Sequence, residues 1–377
     1  MDDFPPYLPQ EIIVNILKRL PVKSLIRFQC VCKHWKHLIK SSYFVSEHLH
    51  HSSLQNPCLL FQREMSGDPF ILHLLDSRLQ VRELQNDFWC AQIVGSSNGL
   101  LCIGMGKYIL SPLSFLLWNP AIREVRQVPI NDFERASAVG FGFSPIINDY
   151  KVVRITIGIL KSRVDVYSLN TGLWKEINFG KLKDLSFCSN AVTANGTLFW
   201  RAFDVKDLDE ISVKSLGSDF DLIVSFDIAM ELFTLIPEPA IDPDSSAHLV
   251  VCENKLAMLC LTFDSFLIDL WVMEEEGTSE FGKRWSWTKK HTIITSSGML
   301  FPSVIWRNEI VCKSDEVVWT SIWGIQYATT ILPLLNLSTH KLKKLAIEGC
   351  ATVYSRIFNH VESLVPVSSI PIEEPSS

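Results

Sequence analysis

From residue 8 to about residue 40, apolar positions recur every three or four residues. Leu8-Pro9 places a proline where a first helical turn tolerates its missing N–H, and Ile12, Ile13, Ile16, Leu17 and Leu20 follow at helical spacing. Pro21 ends that helix. Beyond it, Leu25, Phe28, Cys32, Trp35 and Ile39, with Val31 and Leu38 beside them, predict one or two further short helices. The apolar stripe is wider than a core of this size needs, which implies a partner that covers the remainder. Residues 41–56, "SSYFVSEHLHHSSLQN", begin too apolar for a free linker and predict a helix that seats the head on the rest of the chain.

From about residue 57 the texture changes to short apolar runs bounded by Gly, Asn, Asp, Ser or Pro, the signature of strands. The runs repeat. An Asn turn heads a strand in "SSNGLLCI" (Asn98), "INDYKVVRI" (Asn148), "ANGTLFWR" (Asn195), "ENKLAMLC" (Asn254) and "RNEIVCKS" (Asn308), at steps of 50, 47, 59 and 54 residues. Each is followed by a strand–turn–strand element, in which Trp118, Tyr167, Phe226, Trp271 and Leu335 fall in register. A degenerate earlier copy, "CLLFQREMSGDPFILHLLDSRLQVREL", makes six units. A unit of about 50 residues and four strands has the period of a kelch-like propeller blade. Such a ring must close, and the C-terminal "ESLVPV", 362–367, is the expected closing strand. The fold class is thus a multidomain α+β chain: a small three-helix head, then an all-β kelch-like propeller of about six blades. The expected limits are 1–48 for the head, 49–56 for the linker and end of the seating helix, 57–367 for the ring and 368–377 for a disordered tail. No Gly-Gly pair occurs, so Asn, Asp and Ser must make the turns.

Composition agrees with two folded units: 377 residues, 47% hydrophobic and 20% charged, can bury a large core. A net charge of −6 gives no overall attraction to nucleic acid. Locally the picture differs. Residues 8–40 carry Lys18, Arg19, Lys23, Arg27, Lys33, Lys36 and Lys40 against Glu11 alone, whereas 203–221 hold six acids against Lys206 and Lys214. Ten cysteines are scattered without a CxxC pair, as expected of reduced thiols inside a cell. The first residues have no signal-peptide pattern, and no apolar run approaches the ~18 to 20 residues needed to span a bilayer. Asn195 and Asn336 head sequons that are accordingly expected to stay unglycosylated.

Motifs with chemical potential resolve into structural readings. "GSSNG", 95–99, fits a nucleophile elbow centred on Ser97, but that motif needs a helix after it and "LLCI" continues as a strand. Asn98-Gly99 reads instead as a hairpin turn. "SWTK", 286–289, lacks its companion motifs. His34 and His37 lie three apart without a completing ligand set, so no metal and no cofactor are expected. The Gly104/Gly106 and Gly140/Gly142 pairs lack a third glycine and a following helix, and read as turns or bulges. Trp118, Trp174, Trp200, Trp271 and Trp306 sit in apolar strands as core or inter-blade packing. The acidic stretch 203–221 is a solvated insertion or a ligand-reading loop.

The head resembles an F-box: "LPQEII", "NILKRLPVKSL" and "RFQCVCKHW" occur in order, trailed by "LIKSSYFVSEHL". The remainder resembles the plant F-box-associated interaction domain, through "GSSNGLLCI", "LWNPAIRE", "GFGFSPIINDYKVV", "VDVYSLNTGLWKEI", "NGTLFW" and "ESLVPV", the broad group that includes F-box/kelch and S-locus F-box proteins. The resemblance implies the substrate-recognition subunit of a Skp–cullin–F-box ubiquitin ligase. It would be non-catalytic, with no membrane or nucleic-acid partner, and would act in the cytoplasm or nucleus. It implies Skp-adaptor contacts at Leu8, Pro9, Ile13, Ile16, Leu17, Leu20, Pro21, Leu25, Val31, Cys32 and Trp35, with cullin reached through the adaptor, and leaves Ile12, Phe28 and Leu38 to the core of the head. A protein target bound by propeller loops is implied but not identified. The rival readings are an interaction module outside a ligase and an enzyme using the propeller channel.

Overall fold

The computed structural model describes residues 8–63, 71–85, 88, 91–106, 114–129, 136–157, 162–178, 180–187, 191–204, 222–279, 282–295, 300–313, 317–322, 325–348 and 354–367. The acidic insertion, from residue 205 on, and the tail from residue 368 lie outside them.

The head is four helices: α1 (Gln10–Leu17), α2 (Val22–Phe28), α3 (Lys33–Lys40) and α4 (Ser42–Gln55). Pro9 and Pro21 stand at the N-caps of α1 and α2, where a missing N–H costs nothing. Cys32 caps α3, its Sγ accepting from Trp35 N at 3.4 Å, and Ser41 Oγ caps α4 by accepting from Phe44 N at 3.2 Å. α4, the expected seating helix, runs unbroken through the whole of the seam. Val14, Leu17, Val22, Leu25, Leu38, Ile39 and Phe44 form the core, joined from the far end of the chain by Leu364.

The rest is a ring of six antiparallel β-sheets, one per blade, four of them four-stranded and two five-stranded. The innermost strands are Tyr354–His360, Ala91–Ser97, Ala138–Ser144, Val192–Ala194, Ser245–Cys252 and Phe301–Trp306. Turn chemistry sets the register. Asn98-Gly99, Asn195-Gly196, Glu253-Asn254 and Arg307-Asn308 are two-residue hairpin loops with both φ positive, between +49° and +83°. This is the type I′ geometry whose twist matches that of the strands. Asn148, at φ +48°, ends the longer loop of blade 3. All five repeat asparagines are therefore left-handed, a conformation their short polar side chain tolerates.

Two expectations are corrected. The closing strand is Tyr354–His360, which pairs antiparallel with Cys58–Arg63 (Leu60 opposite Phe358), so the C-terminus supplies the inner strand of blade 1. Residues 361–367 have no strand partner among the described residues. They leave the ring and run beneath the head, with Leu364 buried among the helices and Val365 and Val367 in the core between blades 2 and 3. The Gly140/Gly142 pair is likewise neither turn nor bulge. Both lie within the inner strand of blade 3, where a Cβ on Gly140 would stand 2.5 Å from Trp200 and one on Gly142 2.7 Å from Thr193. The glycines let two blades approach; Trp200 is wholly buried there and donates Nε1–H to Val139 O at 3.2 Å.

Candidate docking face and its seating

The head presents apolar side chains on the side away from its core. Leu8, Ile12 and Ile16 follow at i, i+4 along the start of the chain and α1, and are 53%, 44% and 51% exposed. Ile26 and Val31 continue the ridge, and Pro9, Pro21 and Cys32 are also exposed. Ile13, Leu20, Phe28 and Trp35 are half-buried at its margin, the Phe28 and Trp35 rings 5.6 Å apart. Leu17 and Leu25 are fully buried, so the reading of them as surface contacts is corrected: they are the centre of the head's own core. Ile12, expected inside, faces out. Ile26 escaped the sequence reading; on α1 and α2 both faces are apolar, and spacing alone does not say which is covered.

Cations surround the ridge. Arg19, Lys23, Arg27, Lys33, Lys36 and Lys40 are exposed, whereas Lys18 turns inward to Glu47 of α4 at 3.2 Å. One of the seven positive charges thus ties helices together instead of facing a partner. His34 and His37 are exposed on α3. No group of three or more His, Cys, Asp or Glu side chains converges to hold a metal among the described residues. Ser97 ends its strand at the Asn98-Gly99 hairpin, which leads into a second strand and not a helix. Ser286 and Lys289 lie in the strand Gly282–Ile294, where Lys289 pairs with Asp269 at 2.7 Å.

The seam between head and ring is built by two motifs of blade 2 and a third near residue 364, far along the chain. Asn119, from "LWNP", is wholly buried, and its Nδ2 donates to Ser363 O at 3.1 Å and Val365 O at 2.8 Å, while its Oδ1 accepts from Ala121 N at 3.0 Å. Glu124 Oε2 accepts from Val367 N at 2.9 Å. Gly99, from "SSNGLL", leaves room for the same segment, since a Cβ there would lie 2.3 Å from Ser363 Oγ. Above it, Leu364 enters the helical core beside Ala121 and Ile122. His48 of α4 is buried against Phe44, its Nε2 3.0 Å from Leu20 O. Burial lowers its pKa, so the ring is neutral and donates to that carbonyl.

Arg82 and Glu362 form a further ion pair, between the outer strand of blade 1 and this segment. The arrangement holds an apolar, positively rimmed surface against a propeller. Two family models match the chain in succession: the F-box domain over residues 6–47 and the F-box associated beta propeller domain over residues 44–368.

The chain belongs to the F-box-associated β-propeller family. As an F-box protein carrying a propeller, it is a substrate-recognition protein. It is 25% identical to F-box protein CPR1 of Arabidopsis thaliana, over 92% of this chain and 86% of that protein. It is 28% identical to an F-box/kelch-repeat protein of the same plant, over 76% of this chain and 79% of the relative. No helix of the described residues is long and apolar enough to cross a membrane.

Proposed function

We propose that this F-box protein is the substrate-recognition subunit of a Skp–cullin–F-box ubiquitin ligase, with the head docked on the Skp adaptor and the propeller holding a target protein. The observation that carries the reading is the exposed ridge Leu8, Ile12, Ile16, Ile26 and Val31, set among cations and unused by the protein's own core. Such a ridge suits an acidic partner with an apolar groove, because burial supplies affinity while opposite charge steers the encounter. The chain itself breaks and forms no bond in this role. It raises the effective concentration of target near ubiquitin carried by other subunits, which requires the rigid seating at Asn119 and Leu364.

Co-purification with a Skp adaptor tests this. Ile16→Asp with Val31→Asp, both at exposed positions, is expected to abolish stoichiometric adaptor binding while the propeller's circular dichroism and melting stay unchanged. Binding retained by the folded double variant refutes the docking face. Adaptor binding without recruitment of cullin would favour a module acting outside a ligase.

A further inference from the structure

A cavity of about 290 Å³ opens where the innermost strands of blades 1, 2 and 6 end beneath the head. Its walls include His360, Ser96 and Asn359 at the strand ends, Trp306 and Arg307 at the blade 6 hairpin, and Ser53 at the end of α4. At ~30 Å³ per molecule the space would hold about ten waters, at the small end of ligand sites. Among the described residues, no Asp or Glu lines it.

Its polar groups are held in place. Arg307 sits on the left-handed hairpin residue at φ +49°, its guanidinium 5.3 Å from the Trp306 ring and its Nη1 donating to Ser77 O at 2.7 Å. That leaves other N–H groups of the guanidinium available, and no carboxylate pairs with it among the described residues. His360 is buried, only 5% exposed, and its one side-chain hydrogen bond among the described residues joins Nδ1 to Ser96 Oγ at 3.3 Å. Burial, aided by the Arg82 charge, lowers its pKa to about 4, so the ring is neutral at physiological pH. In the tautomer in which the Ser96 hydroxyl donates to Nδ1, the proton resides on Nε2, which has no hydrogen-bond partner among the described residues. Ile305, Pro57 and Val361 add apolar wall.

We propose that this cavity binds a small organic carboxylate, its charge paired with Arg307, one oxygen accepting from His360 Nε2–H, and its apolar body against Ile305, Pro57 and Val361. A cation with no carboxylate partner among the described residues, lining the same cavity as a neutral donor, selects an anion. The apolar wall selects a carboxylate with a compact hydrocarbon body over inorganic phosphate. The occupant would touch α4 and three blades together.

The test is calorimetric titration of the full chain with sodium benzoate, with benzamide as the neutral isostere and inorganic phosphate as the second anion. Saturable 1:1 binding of benzoate is expected, weakened at least ~10-fold by Arg307→Gln and by His360→Gln, with no saturation by benzamide. Absence of saturable benzoate binding up to ~10 mM, beyond the weak end of specific affinity, overturns the proposal. So does benzamide matching benzoate, phosphate binding more tightly than benzoate, or full affinity in either folded variant. Should the variants not fold, the unmodified protein decides: the His360 Nε2 resonance in a histidine-labelled sample shifts on benzoate addition, and a resonance that does not move refutes the site.

Discussion

Replacing Asn119 by Ala removes the side chain that holds two backbone carbonyls of residues 361–367 beneath the head. Three backbone groups lose their partner: the carbonyls of Ser363 and Val365, at 3.1 and 2.8 Å, and the Ala121 N–H, at 3.0 Å. The first two bonds are buried. A buried polar group left unsatisfied costs ~1–3 kcal/mol, so the two carbonyls together cost about 2–6 kcal/mol. The cost falls on the seam, because the ring is closed by Tyr354–His360 through its ladder with Cys58–Arg63 and does not depend on Asn119. Leu364 is released with the segment, and the helices lose a core residue that is only 6% exposed. The expected outcome is local opening of the head at a cost lowered by about 3 kcal/mol, a factor of ~100 in the opening equilibrium, while the blades stay closed. Amide hydrogen exchange read by mass spectrometry resolves the two regions. Peptides from 10–55 should lose protection about a hundredfold, and those from the inner strands of blades 3 to 5 should not change. A folded Asn119→Ala protein whose helical peptides keep their protection, or whose ring and head lose it together, refutes the clamp.

Leu17→Ala should destabilise the head by ~2–5 kcal/mol, since the side chain is fully buried, while Ile16→Ala one position earlier should stay within ~0.5 kcal/mol; equal denaturant midpoints for the helical signal of the two variants would contradict this division of faces. Arg201 meets Glu238 through Nε–Oε1 at 2.6 Å and Nη2–Oε2 at 2.7 Å, and donates Nη1–H to Ala247 O at 2.6 Å, joining blade 4 to blade 5. Arg201→Met strands a buried carboxylate and should cost ~3–5 kcal/mol, whereas Arg201→Met with Glu238→Leu should recover most of it, a difference read from melting temperatures. His360 has a folded pKa of about 4 against ~6.5 unfolded, so the folded state binds fewer protons. Its stability is complete above pH ~6.5 and declines as pH falls toward 4, by up to about 3 kcal/mol. His360→Gln should flatten that acid limb in melting experiments, and an unchanged limb would count against burial as its cause.

The two halves of the chain were legible in different degrees. The asparagine turns were readable because their requirement is local: a two-residue hairpin loop needs left-handed backbone, and Asn98, Asn195, Asn254 and Asn308 meet it whatever surrounds them. The blade period and the helical head followed from spacing in the same way. Of the five tryptophans expected in core or inter-blade packing, Trp118, Trp200 and Trp306 are buried, and Trp174 and Trp271 are half-buried against the core. Ile12, Leu17 and Leu25 were misplaced because α1 and α2 are apolar on both sides. The positions of Leu38, Ile39, Phe44 and Leu364 in the fold say which side is covered.

By itself, the sequence determined what depends on near neighbours: helical period in the head, turn conformation at the blade hairpins, a repeat that must close, and a basic surface on the head. Tertiary structure decided what depends on contacts between distant residues. It took Tyr354–His360 rather than 362–367 as the closing strand, since the former completes a ladder and the latter finds its partners in Asn119 and the helical core. It gave Gly140 and Gly142 a role in blade approach that their spacing does not encode. It also gathered Ser53, Ser96, Arg307 and His360 around one cavity, because ring closure brings the chain's two ends to the same place.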